Sequence, residues 1–173
     1  IATRVTLVDG RSVETKNSVG ASYLPMSVAL EVSRPVGLLI RNPLEKVALA
    51  SIDVSVAIRH ELDALSLESV TVATAAIRAG RPLAVIATLR NYRGARVERR
   101  ITIPVPADLP SGSYKLRVSD SPTFSGWDSQ RAPGLYEPET VDQVMAILAG
   151  ERPFNTLITT LSDERAGVSA MGD

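Results

Sequence analysis

The chain contains one histidine, His60, with Glu61 and Asp63 beside it. An imidazole next to two carboxylates could ligate a metal, or His60 could act as the base of a Ser-His-Asp triad or similar stand-alone hydrolase. Neither chemistry is well supported. Side chains this close together at a strand end alternate between faces and do not converge, so a surface turn is the preferred reading. No Gly-x-Ser-x-Gly elbow singles out a nucleophile, and Ser111-Gly112 and Ser125-Gly126 read as ordinary loop dipeptides. The phosphate-binding glycine loops and the His-Glu-x-x-His motif are missing too. With no cysteine, thiolate nucleophiles, disulfides and thiolate metal centres are excluded. A carboxylate pair could still serve acid–base catalysis. However, Asp120, Asp128, Glu137 and Glu139 read as turn and helix-start residues, and the two glutamates complement the dipole of the helix that follows. No catalytic, metal or cofactor site is therefore assigned.

Binding chemistry has better candidates. Phe124-Ser-Gly-Trp-Asp128 could form a recognition surface, although folding back over a sheet edge is the commoner fate of a large aromatic. Arg93 and Arg96 belong to a local basic cluster with Arg90, Arg99 and Arg100 that reads as a solvated strand face and turn. The candidate interaction surface is thus Trp127, Phe124, Arg93 and Arg96. Nineteen basic residues balance nineteen acidic ones, so no global field attracts nucleic acid or an anionic membrane. No apolar run approaches the roughly 20 residues of a membrane span, and no signal peptide heads the chain. The expected partners are proteins or other domains of the same polypeptide.

The elements that must position these residues are mostly strands. Hydrophobic residues make up 45% of the 173 positions and aromatics only 4%, so the core must be built from Val, Ile, Leu and Ala. Thr3 to Lys16 reads as a hairpin turning at Asp9-Gly10. Tyr23 to Arg41 fits a helical stripe (Leu24, Val28, Val32, Leu39) and also a strand (Val28, Leu30, Val32). A helix broken near Pro35 is preferred. From Val47 the alternation of Ile52, Val54, Val56 and Ile58 begins a strand series. It continues through Leu65 to Val72, Leu83 to Tyr92, Arg96 to Val105 and Ser113 to Asp120, as in a β-sandwich. Val54, Val56, Val70, Val72, Val85, Leu89, Ile101, Ile103, Leu116 and Val118 are expected to be buried in two facing layers. Pro122 to Pro138 reads as a loop. Thr140 and Gln143 form a capping box for a helix with Val141, Val144, Met145 and Leu148 on one stripe, stopped by Gly150. Asn155 to Leu161 should be a last strand paired with an existing edge.

The fold expectation is a mainly β or α+β chain. Residues 1–46 form a hairpin–helix unit, 47–162 an Ig-like or fibronectin-like sandwich with its terminal helix and strand, and 163–173 a flexible tail.

The motif order adds to this. Arg41-Asn-Pro-Leu-Glu-Lys-Val47 leads into Ser51-Ile-Asp-Val-Ser-Val56. Ile77-Arg-Ala-Gly-Arg-Pro-Leu83, Ala87-Thr-Leu-Arg-Asn-Tyr-Arg-Gly94, Arg100-Ile-Thr-Ile-Pro-Val-Pro106 and Pro110-Ser-Gly-Ser-Tyr-Lys-Leu-Arg-Val118 follow. Over roughly Thr3 to Leu161 this resembles the C-terminal region of secreted bacterial SpoIVB-like serine peptidase family proteins. In that family the protease domain lies N-terminal to this region, and its Gly-x-Ser-Gly-type motif has no match here. The resemblance implies an extracytoplasmic, non-catalytic accessory, binding or scaffolding module. The rival functions are a stand-alone hydrolase using His60 or a carboxylate pair, and a structural spacer of the cell envelope. The purified chain is expected to turn over neither generic peptide nor ester substrates. Turnover abolished by His60→Ala would instead identify a hydrolase.

Overall fold

A computed structural model describes residues 1–20, 24–59, 64–73 and 76–163. His60, Glu61 and Asp63 lie outside the described residues, as does the expected tail from residue 164 onward. Among the described residues the chain is β-rich α+β, with three small antiparallel sheets and three α-helices. These residues fall into two compact units: 1–20, 24–59 and 120–156 form the first, and 64–73, 76–119 and 157–163 the second.

The first unit begins with the expected hairpin, β1 (Ala2–Leu7) and β2 (Ser12–Lys16). Gly10 takes a positive φ of 93° at the turn, a conformation that glycine adopts without a Cβ clash. α1 (Leu24–Ile40) follows, then β3 (Leu49–Ser55), which pairs antiparallel with β1 and gives the sheet order β2-β1-β3. α1 is not broken at Pro35. The ring lacks an N–H for the helix ladder, but it lies fully buried on the same face as Leu39, where packing holds the helix through. After the second unit, α2 (Ser121–Arg131), a 3₁₀ turn (Pro133–Tyr136) and α3 (Val141–Gly150) return to the first. The expected loop from Pro122 to Pro138 is therefore largely helical. Asp120 caps α2 by accepting from the Thr123 N–H at 2.8 Å, and Pro122 sits in the first turn, where a missing donor costs nothing.

The core of this unit joins Val5, Leu7 and Val13 of the hairpin to Leu39 of α1 and to Val141, Val144, Met145 and Leu148 of α3. The four α3 residues are those expected to pack. Their host is the hairpin unit, not the strand series. The expected boundary at 46/47 therefore falls inside the first unit, because β3 extends the β1 sheet and α3 closes the hairpin's core. Arg11 adds a polar clamp, reaching Asp9 at 2.6 Å in the hairpin turn, Glu45 at 2.7 Å after α1, and Asp142 at 3.0 Å in the first turn of α3. Arg34 of α1 pairs with Glu151 just beyond α3.

The second unit holds β4 (Leu65–Val72), β5 (Leu83–Asn91) and β6 (Arg96–Ile103) in that sheet order, with β7 (Tyr114–Asp120) pairing β8 (Leu157–Asp163). The last strand thus finds the partner expected of it. Leu83, Val85, Ile103 and Val105 form the buried centre, and Ile101, Leu116 and Val118 pack against it. A bulge between Leu67 and Ser69 keeps Leu65, Leu67, Val70 and Val72 on one face despite the odd step from 67 to 70.

Of the residues expected in the core, Ile101, Leu116 and Val118 are half-buried and four are exposed. Val54, Val56, Val70 and Val72 are 45%, 41%, 36% and 38% exposed. Among the described residues β3 and β4 are edge strands, each flanked by a partner strand on one side only. Their apolar side chains share the inner face with Val5 and Val85 but lie at its margin. Replacing the buried Leu148 by Ala is expected to cost about 2–5 kcal/mol. Val54→Ala should cost under about 1 kcal/mol. Chemical denaturation midpoints check both, and equal shifts would contradict this placement of the core.

Candidate functional site

Helical spacing gathers the most chemically varied cluster of the first unit. Phe124, Trp127, Asp128 and Arg131 stand at i, i+3, i+4 and i+7 of α2, on one face. The Phe124 and Trp127 rings are half-buried, with centroids 6.0 Å apart and planes tilted by 55°. The Arg131 guanidinium lies 5.3 Å from the Trp127 ring centre, and that of Arg152 lies 5.3 Å from the centre of Phe124. Ser121 fastens the segment carrying Arg152 to the start of α2 by donating from Oγ to the Arg152 carbonyl at 2.7 Å.

Behind the rings, Asp128 is only 8% exposed. Its Oδ1 accepts from Arg131 Nη2 at 2.8 Å and Nε at 3.2 Å, and its Oδ2 accepts from the Tyr136 hydroxyl at 3.0 Å. Both oxygens thereby accept from donors, and the carboxylate organises its neighbours. Burial, together with the hydrogen bond to Asp128, pushes the Tyr136 phenol above its ordinary range and keeps it a donor.

The other side of Tyr136 faces an open, largely apolar cleft of about 360 Å³. Leu38, Asn42, Pro43 and Leu44 line it from the end of α1 and the loop beyond, and Pro138, Val144, Ile147 and Leu148 from α3 and its approach. The residue that completes the Asp128 network is thus also a wall of the cleft.

Trp127 and Phe124 are brought together, on a helix where a loop was expected. Arg93 and Arg96 belong to the second unit. Arg93 stacks on Tyr92 at 5.3 Å, in the turn that Gly94 closes with a φ of 90°. Arg96 donates from Nε to Glu68 at 2.6 Å, and Arg90 holds the other oxygen of that carboxylate. Asp120 serves as a helix cap. Glu137 and Glu139 are exposed ahead of α3, whose Gln143 amide oxygen accepts from the Glu139 N–H at 2.7 Å, one residue beyond the expected cap partner. Tyr136, Arg131 and Arg152 were not identified from sequence. Arg131 shares the helical stripe of Trp127 and was legible once a helix was assigned, whereas Arg152 reaches Phe124 only through the tertiary fold.

Among the described residues no group of three or more His, Asp or Glu side chains is arranged to hold a metal ion, and no helix is long and apolar enough to cross a membrane. No family model, curated protein or solved structure matches the chain.

Tyr136→Phe removes one of the donors to a buried carboxylate and is expected to cost about 1–3 kcal/mol. The raised phenol also fixes a sign. Its contribution is complete below the ordinary tyrosine range and is lost as pH rises through the higher folded value. Ultraviolet titration of wild type and Tyr136→Phe should show that the variant lacks one late-ionising phenol. If the missing phenol ionises in the ordinary range, the Asp128 contact is misassigned.

Proposed function

We propose that this chain is a non-catalytic binding or scaffolding module of a larger, exported peptidase-like bacterial protein, acting outside the cytoplasm. The observation that carries the reading is the apolar margin of two edge strands. Ile52 and Val54 of β3 are 42% and 45% exposed, yet they sit opposite Val5 and Thr3, which are fully buried. β4 repeats the pattern opposite β5. Neither strand carries a lysine or proline, two of the common means of blunting an exposed edge. Inner-face side chains left half-exposed beside unpaired backbone suit a module that completes its packing on another domain or a protein partner.

The resemblance of the motif order to that of the SpoIVB-like family supports the same context. An Ig-like or fibronectin-like sandwich for the second unit is supported by its two-layer core. It is also supported by the Tyr114 hydroxyl, which donates to the Pro110 carbonyl at 2.7 Å, a bond of the tyrosine-corner kind. The partly solvent-facing Phe124–Trp127 pair favours a binding role over a plain spacer.

Hydrogen exchange of this chain alone and within its full-length parent polypeptide tests the reading. Amides of Leu49–Ser55 and Leu65–Val72 are expected to exchange more slowly in the parent. Identical exchange in both, with no added protection from a purified partner, would overturn it.

A further inference from the structure

We propose that Arg152, seated on Phe124 beside Trp127, is a binding site for a carboxylate carried by a peptide or protein partner. The site adds to the binding-module reading but uses a different surface, so failure of the edge-strand test would leave it standing.

The argument starts from how the two arginines of the cluster are employed. Arg131 spends Nε and Nη2 on Asp128. Arg152 is exposed and makes no ion pair or side-chain hydrogen bond with a described residue; its guanidinium lies 5.3 Å from the centre of the Phe124 ring. A cation–π contact engages the charge of a guanidinium and consumes none of its N–H donors in a conventional hydrogen bond. Those donors form the planar fork that matches the two oxygens of a carboxylate. The side chain is also restrained before any ligand arrives. Its backbone carbonyl is held by Ser121 and its head rests on a ring, so less rotamer entropy is lost on binding than for an arginine waving in solvent.

Local charge points the same way. The nearby carboxylates are already committed: Asp128 to Arg131 and Tyr136, Asp120 to the α2 cap, and Glu151 to Arg34. The tilted Phe124–Trp127 pair supplies an apolar platform next to the fork. A peptide carboxylate with an apolar neighbour therefore meets complementary charge and contact area together.

Trp127 is the sole tryptophan of the chain, so its emission reports on this patch. The whole 173-residue chain is titrated with three probes. The first is an N-acetylated, C-amidated peptide of Glu and Leu. The second is a neutral peptide with a free C-terminal carboxylate, and the third is the same neutral peptide amidated. Fluorescence and calorimetry are read together, so a silent fluorophore cannot hide binding. One or both carboxylate probes are expected to bind saturably and the amidated neutral peptide not at all. Which carboxylate probe binds decides between side-chain and C-terminal sources. Arg152→Gln should weaken binding by about tenfold or more, as loss of a charged hydrogen-bond pair implies. Arg152→Lys should recover only part of it, and replacing the exposed Arg81 of the second unit by Gln should change nothing. The proposal is overturned if neither carboxylate probe binds by either readout, or if Arg152→Gln binds as tightly as wild type.

Discussion

The docking of α3 on the hairpin is the contact on which the first unit depends. A helix of 10 residues is marginal by itself in water. The hairpin, for its part, has an apolar face that two strands cannot bury. Val141, Val144, Met145 and Leu148 solve both problems by closing over Val5, Leu7 and Val13 with Leu39 of α1. The polar contacts around this core follow its geometry. Arg11 can reach Asp142 only because α3 begins beside the hairpin turn, and Arg34 can reach Glu151 only because α1 and α3 share the same core. Exposed pairs of this kind contribute little energy individually, so they mark the arrangement more than they cause it.

With α3 placed, the segment before it is constrained as well. The 3₁₀ turn carries Tyr136 back to α2, where its hydroxyl completes the shell of donors around Asp128. A buried carboxylate without those donors would destabilise the helix that carries it. Satisfied, it orients Arg131 under which the Trp127 ring is stacked, with Phe124 one turn away. The aromatic and cationic surface of α2 is therefore a product of a buried polar network, and Tyr136 couples that network to the apolar cleft on its other side.

The edge strands show a different physical balance. Alternation along β3 and β4 is as regular as along β5, and the bulge in β4 preserves it. β5 is flanked on both sides, by β4 and β6, and its inner-facing Leu83, Val85, Ala87 and Leu89 are all buried, as are Thr3, Val5 and Leu7 of β1 between β2 and β3. On the outer face of the same sheet, Arg90 and Arg96 flank Glu68, so charge on that side is balanced locally. The two faces thus differ in kind: one is polar and satisfied by itself, and the other is apolar and incomplete at its margin.

Local pattern in the sequence determined the hairpin at Asp9-Gly10, the strand series, the capped helix at Thr140 with its four core residues, and the final strand at Leu157. Each rests on a short-range rule: a turn residue, a two-residue alternation, a cap or a 3.6-residue stripe. The α2 signals were also present in Asp120 and Pro122, but Gly126 and the low apolar content of the segment made it read as a loop. Tertiary structure alone decided the rest. Alternation shows that a strand has an apolar face but not whether another strand or helix covers it, so Val54 and Val70 could not be told from Val85. Nor does it specify which sheet a strand joins, and β3 went to the hairpin because β1 offered it an open edge. The meeting of Arg152 with Phe124 and of Tyr136 with Asp128 depends on where separate segments are brought by packing, and that position is written in no local motif.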